Sequence, residues 1–225
     1  MSSSLPSDDE HAVPLIIIGA GGHATSVANI ALSAGFHIKH FVDPNKKGGT
    51  LLDVKIVGDL MALDIDAHQY CIAVGDNAVR ERIYLELTEQ FDSLTFPTLI
   101  HASAVISSFT KISEGSVVMP NAVVGPNADI GKFCILNTQS SIDHDGVMAD
   151  YASLAPGAIV GGSVTIGMRS SVSIGAVIKH GVKIWDDCVV GANSYLNKDL
   201  PANQIAYGTP AIIVRSRKVG EPYLK

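Results

Sequence analysis

The sequence predicts a chain in two parts, a small α/β domain followed by an all-β parallel β-helix. Three observations predict it. Every sixth residue from Ile106 to Leu196 is aliphatic or Met, sixteen positions without a break. Two residues before each stands a second column, from Ala104 to Ser194, in which nothing exceeds Val or Thr in size. Ahead of both, an apolar run at 13–18 leads into Gly19-Ala20-Gly21-Gly22-His23-Ala24 and then into helical spacing.

A hexapeptide period belongs to neither a helix nor a simple alternating strand; it belongs to a parallel β-helix. Each hexad supplies one short strand and a turn, and three hexads close a triangular coil. One hexad cannot bury its aliphatic residue alone, but coils stacked about 4.8 Å apart turn each column into a continuous core. The small column suits the tight corners of the prism. Gly125, Gly131, Gly161, Gly167 and Gly191 each follow a core residue directly, where the turn is expected to need positive φ. Outward positions between the columns are expected to be polar.

In the first part, residues 13–18 read as a buried strand. Residues 25–34 read as a helix with Val27, Ile30, Ala31 and Ala34 on one face, ended by Gly35. Residues 37–42 make a second strand that ends at Asp43, with His37 and His40 exposed on it. Strand, Gly-rich turn, helix, strand and acidic residue form a nucleotide-binding pattern: glycine lets a phosphate approach the backbone, and the helix N-terminus favours its charge. The match to G-x-G-x-x-G is incomplete, because Ala24 or Thr25 stands where the third Gly belongs. Residues 69–74 are a third strand, closed by Gly75-Asp76-Asn77. Residues 78–90 are a helix with Val79, Ile83 and Leu87 on one face, and 94–96 a fourth strand. This is room for one nucleotide rather than two.

A net charge of −6 with no Lys/Arg run argues against a nucleic-acid partner. Cys71, Cys134 and Cys188 form neither a metal cluster nor a disulfide framework and fit a reducing, cytoplasmic location. No apolar run approaches the roughly 20 residues of a membrane span. Residues 1–12 read as a disordered tail rather than a signal peptide.

Asp143-His144-Asp145 breaks the prism's pattern. An imidazole on a rigid wall, beside a carboxylate that fixes its tautomer, suits proton abstraction near neutral pH; either Asp could be the partner. Positions eighteen residues apart stack, so Gly162 lies one coil above His144 and offers a bare N–H as an oxyanion donor. His180 lies two coils above, about 9.6 Å away by coil spacing, too far to share a metal. With His101 the only other nearby histidine, three convergent ligands are lacking, and no metal is expected. Beyond the prism, residues 212–214 are expected to form a final strand packed on it. Arg215, Arg217 and Lys218 form a small basic cluster with a possible role toward coenzyme phosphates.

These residues together resemble a family. Gly19-Ala20-Gly21-Gly22-His23, Ile72-Ala73-Val74-Gly75-Asp76-Asn77, the unbroken hexads, Asn137 before His144-Asp145, and the close from Val190-Gly191-Ala192-Asn193 to Gly208-Thr209-Pro210-Ala211 are similar to bacterial sugar acetyltransferases of the left-handed β-helix superfamily. The similarity is to the branch that acetylates nucleotide-linked amino sugars, including the UDP-4-amino-sugar enzymes of bacillosamine synthesis and a relative associated with sialic acid O-acetylation. It implies a Rossmann-like domain over 13–98, a left-handed β-helix over 99–199, and an extension over 200–225 packed on the prism. It also implies a homotrimer with acetyl-CoA between subunits and no metal. His144 corresponds to the general base and Asp145 to the acid that raises its basicity. Gly22, His23 and Asp43 correspond to nucleotide-binding positions, and Gly21, Pro44, Gly58, Gly75 and Asn137 are expected at the same sugar-nucleotide site. Ser153, Ile174 and Ala192 correspond to acetyl-CoA positions, and Gly162 is expected to contact the coenzyme as well. The family commonly has His at 153 and a second acidic residue at 44.

The activity so implied is N-acetylation of a nucleotide-linked amino sugar, at C4, for bacterial glycan synthesis. O-acetylation of a sugar hydroxyl or sialic acid is the nearest alternative. A metal-dependent hydratase and a non-catalytic nucleotide-binding trimer stand behind it.

Overall fold

The computed structural model describes residues 13–223; the tail expected over 1–12 lies outside them. The N-terminal part contains β1 (Leu15–Ile18), α1 (Gly22–Ser33), β2 (Ile38–Val42), β3 (Thr50–Leu51), β4 (Val54–Val57), β5 (Gln69–Ile72) and α2 (Asn77–Gln90). The sheet order is β3-β4-β2-β1-β5, parallel except for the β3–β4 hairpin. All four residues of β1 are buried, as a continuous apolar run between two helical layers requires. Gly35, at φ 82°, turns the chain out of α1 in the region that favours glycine.

One expectation here fails, and one element appears that the sequence pattern does not signal. Residues 94–96 are not a strand. Thr95 O accepts from Tyr70 N and Phe96 O from Gly115 N, so the segment is an irregular bridge from β5 to the prism rather than a sheet member. The hairpin was not foreseen, because its turn, Leu52-Asp53 at φ 49° and 62°, lacks the Asn-Gly or Asp-Gly signal such turns usually carry.

The hexads form sixteen two-residue strands from Val105–Ile106 to Tyr195–Leu196. They stack eighteen residues apart, as in Val123–Val124 on Ser141–Ile142, into three parallel sheets. The sixth-residue column is buried from Val118 to Leu196; only Ile106 and Ile112, at the open first coil, are not. The second column lines the same core.

The role expected of the repeat glycines is corrected. Gly125, Gly131, Gly161, Gly167 and Gly191 do not have positive φ. Positive φ falls two residues later, on residues including Asn127, Phe133, Asp145, Tyr151 and Ser163. The glycines serve close approach instead: a Cβ on Gly125 would lie 2.7 Å from Asp143 C and His144 N, because the next coil passes directly over it. The left-handed residues are held by their amides, which bond to the coil below, as in Asp145 N to Pro126 O at 3.0 Å and Ser163 N to His144 O at 2.8 Å.

Outward positions are not uniformly polar. On one face Leu99, Val117, Ile135, Ser153, Ser171 and Val189 are buried. Leu99, Val117, Met119 and Ile135 share a core cluster with Leu15, Val27 and Ala31, so the N-terminal domain sits on this face. A second face leaves Val105, Val123 and Ile159 bare. At its far end the covered face is extended by Gln204–Gly208, with Ala211–Ser216 antiparallel outside it. That last strand forms as expected, but Ile212, Ile213 and Val214 are exposed rather than packed on the prism, since they lie beyond the end of the core column.

Candidate active site

His144 stands on the turn after Ser141–Ile142, with its side chain 54% exposed. Its Nδ1 lies 2.7 Å from Asp145 Oδ2. Asp143 instead accepts the backbone N–H of His144 through Oδ1 at 2.7 Å. The backbone decides between the two carboxylates: Asp145 is at φ 57°, which folds its side chain back along the ring. The hydrogen bond to Asp145 raises the His144 pKa, and the same bond, then one from Asn127, lowers that of Asp145. An Nδ1–H donated to Asp145 leaves the Nε2 lone pair free to take a proton.

That Nε2 lies against Gly162. A Cβ there would come within 2.4 Å of Nε2 and 2.5 Å of Cε1, so any larger residue would displace the ring. The Gly162 N–H has no hydrogen-bond partner among the described residues. Base and unpaired donor therefore stand side by side on adjacent coils. His180 stands with its backbone over Gly161, one coil further on. No group of three His, Cys, Asp or Glu side chains that could hold a metal ion occurs among the described residues.

The Gly-rich turn forms a second cluster. Gly21 caps α1 without a side-chain bond, and a Cβ on Gly21 or Gly22 would meet nothing within 4 Å, leaving the helix N-terminus open. Gly19 is the position that demands glycine, at φ 107° with a Cβ 3.0 Å from Ala73 O. Asp43 closes the turn: Oδ2 accepts from Ala20 N at 3.2 Å and Oδ1 from Asn45 N at 2.9 Å. Lys46 Nζ donates to Ala20 O at 2.7 Å, placing a positive charge beside the glycines that sequence reasoning did not single out. His23 Nε2 is buried with no partner; desolvation, then the Arg80 charge, pushes its pKa down to about 4. Pro44 begins an exposed 3₁₀ turn, and Gly58 admits the Lys47 side chain, which a Cβ would meet at 2.8 Å. Asn137 Oδ1 accepts from Thr138 N, at the edge of a cleft of about 290 Å³ lined by Thr25, Ser26, Asn29, Met119, Pro120 and Thr138.

The residues expected at the coenzyme do not form one group. Ile174 and Ala192 are exposed and stack eighteen residues apart on the prism corner that carries Thr138. Ser153 is enclosed instead, its Oγ bonded to Asn77 Nδ2 at 3.1 Å, Tyr223 OH at 3.2 Å and Ser171 Oγ at 3.3 Å. The basic cluster is also largely engaged. Arg215 pairs with Glu221 at 2.7 Å, and Arg217 bonds the carbonyls of Asp187 and Glu221.

Sequence reasoning missed what joins the two domains. The face of α2 expected from Val79, Ile83 and Leu87 is only half-buried, and its deepest residues are Asn77 and Arg80. Arg80 bonds Phe133 O, Val74 O, Gly75 O, Asn77 Oδ1 and Tyr151 O at 2.8–3.2 Å. It thus pins the Gly75 turn to two successive coils. An arginine in a helix of mixed polarity carries no sequence signal of this.

Within one chain, the Gly-rich turn and its cleft flank the corner at Thr138, while His144 stands on the next corner. The bare face through Ser141–Ile142 lies between them.

A glycine-turned α/β domain seated on a left-handed hexapeptide prism, with a His–Asp pair on the prism wall, defines a hexapeptide-repeat acyltransferase architecture. The PglD N-terminal domain family matches residues 14–87. GDP-perosamine N-acetyltransferase of Escherichia coli O157:H7 is 31% identical over 111 residues, covering 49% of each chain; the chain thus spans about half the length of this curated relative. Perosamine N-acetyltransferase from Caulobacter crescentus, solved with CoA and GDP-perosamine, superposes with a TM-score of 0.85 at 30% identity over 90% of this chain and 97% of that one. The acetyltransferase domain of PglB from Neisseria gonorrhoeae, solved with acetyl coenzyme A, gives 0.85 at 29% identity over 90% and 100%. The chain belongs to the bacterial sugar N-acetyltransferases of the hexapeptide-repeat superfamily.

Proposed function

We propose that this protein transfers the acetyl group of acetyl-CoA to the C4 amine of an amino sugar carried on a nucleoside diphosphate. The observation that carries the reading is the His144 ring, with Nδ1 bonded to Asp145 and Nε2 packed against Gly162, whose amide has no partner among the described residues. The neutral amine attacks the thioester carbonyl as Nε2 accepts its proton. Asp145 stabilises the imidazolium, and the Gly162 N–H binds the oxyanion. Collapse breaks the C–S bond, and the imidazolium returns the proton to the departing sulfur. General-base assistance contributes roughly 10²–10⁴-fold and one oxyanion donor roughly 10²–10³-fold.

The open glycines at the start of α1, with Lys46 beside them, suit a diphosphate, and the hydroxyl- and amide-lined cleft next to them suits a hexose. Because turn and base occupy different corners of one chain, we propose a homotrimer in which a neighbouring prism packs on the bare Val105–Val123–Ile159 face. A neighbour there brings its own His144 corner to the cleft, and acetyl-CoA runs along Ile174 and Ala192. A cytoplasmic location suits three free, buried cysteines and an acetyl-CoA supply; no helix among the described residues is long and apolar enough to cross a membrane.

The test is product mass spectrometry with acetyl-CoA and GDP- or UDP-linked 4-amino sugars, beginning with the GDP-perosamine of the relatives. An amide product is expected. His144→Ala is expected to lower kcat by at least 10²-fold with little change in KM. Acetylation only at oxygen, or a His144→Ala enzyme within threefold of the parent, refutes the reading.

A further inference from the structure

We infer that Asn127 is a positioning residue for the His144–Asp145 pair, an inference that rests on His144 being the base. Asn127 lies eighteen residues before Asp145, one coil below it, and its Nδ2 donates to Asp145 Oδ1 at 3.2 Å. Asp145 Oδ2 takes His144 Nδ1 at 2.7 Å. Each oxygen of the carboxylate is therefore held by a group from a different coil.

The need for a second hold follows from exposure. The Asp145 side chain is 52% exposed, so little packing restrains it. Rotation about the terminal bond of a carboxylate is broad, and with one hydrogen bond alone the group rocks about it. A donor at Oδ1 sets the carboxylate plane and keeps Oδ2 aimed at the ring.

Asn127 is built to act at that distance. It shares with Asp145 and Ser163 the left-handed position of the repeat, at φ 59°, 57° and 56°, so their short side chains leave successive coils in one column. Asn and Asp visit this region at lower cost than other side chains. Pro126, beneath His144, has no N–H, but its carbonyl accepts from Asp145 N. The donor to Asp145 is also neutral. The charged groups at the ring are Asp143 and Asp145 on its own turn; Pro126 and Asn127 come from the coil below, Gly162 and Ser163 from the coil above, and His180 stands beyond. A lysine at 127 would orient the carboxylate but cancel the charge the imidazolium needs. An amide orients without cancelling.

The test measures kcat, both KM values and the pH profile of kcat/KM for the full chain. Asn127→Ala is expected to lower kcat about 3- to 10-fold, the worth of one modest hydrogen bond. Both KM values should stay within twofold, and the acid limb should move to lower pH. Asn127→Asp cannot donate at neutral pH and sets a second carboxylate against Asp145; it should lower kcat too, but move the limb to higher pH. Asn121→Ala, at φ 58° in the same repeat position, carries the same backbone change away from the pair and should leave the profile in place. Parental kcat and limb in Asn127→Ala overturn the inference. So does a loss of activity that tracks melting temperature with the limb unmoved, which marks a structural role. Activity surviving in His144→Ala fails the base assignment itself, whatever Asn127 does.

Discussion

Gly162→Ala separates the geometry of the base from everything else in the protein. The substitution keeps the backbone N–H and adds one methyl group, whose carbon falls 2.4 Å from His144 Nε2 and 2.9 Å from Cδ2. Non-bonded carbon contacts settle near 3.5 Å or more, so the ring must retreat by about 1 Å. It can do so cheaply for the fold, since the imidazole is half exposed and swings into solvent. It cannot do so cheaply for the reaction, because the 2.7 Å bond to Asp145 and the aim of Nε2 both depend on that position. Misplacement of a reacting group by about 1 Å costs roughly 10²-fold, or about 2.7 kcal/mol of transition-state stabilisation. Steady-state kinetics should therefore show kcat down about 100-fold, with sugar-nucleotide KM little changed and Tm within a few degrees of the parent. A variant within threefold of parental kcat refutes the placement of Nε2 over Gly162. An activity loss matched by a large fall in Tm refutes the claim that the ring yields rather than the coil.

Arg80→Met should cost stability rather than chemistry. It orphans the carbonyls of Val74, Phe133 and Tyr151 while removing a buried charge, and breaking such a network costs about 3–5 kcal/mol; urea denaturation should show that loss and calorimetry a Tm lower by about 6–20 °C. Asp145→Asn removes the main cause of the raised His144 pKa. Because the base works unprotonated, activity falls as pH drops through that pKa, so the acid limb of kcat/KM should move to lower pH, and a limb moving upward or staying still contradicts the pairing. His23 has a folded pKa of about 4 against about 6.5 unfolded. Its neutral form therefore stabilises the fold above pH ~6.5, and that contribution is lost as pH falls toward 4. His23→Gln should flatten the decline of the urea midpoint over this window, and an unchanged slope shows that another group controls it.

The prism was legible because its signal is periodic and redundant. Sixteen hexads repeat one constraint, so Ile106 to Leu196 could be assigned to the core, an assignment that holds from Val118 onward, and His144 could be seen as an outsider. Strand–turn–helix at Leu15–Ser33 was equally plain, since β1 is uniformly apolar and α1 is bracketed by glycines. The β3–β4 hairpin was not, because two-residue pairing at an unusual Leu-Asp turn leaves no pattern. The repeat glycines were visible but misread. Whether a glycine answers to φ or to a neighbouring backbone depends on the coil above, eighteen residues away.

The sequence by itself determined the prism, its register, the stacking of Gly162 above His144, and the open glycine turn, because each follows from local period and spacing. Residue types and spacing left the partner of His144 open between two aspartates; the tertiary structure gives Asp145, as the family resemblance implied, and it alone decided that Asn127 holds that aspartate from below and that Ser153 is sealed against α2. It also decided that one prism face is covered by the N-terminal domain through the buried Arg80, while the next is left bare. These outcomes depend on side chains meeting across coils and domains, where distance along the chain carries no record of distance in space.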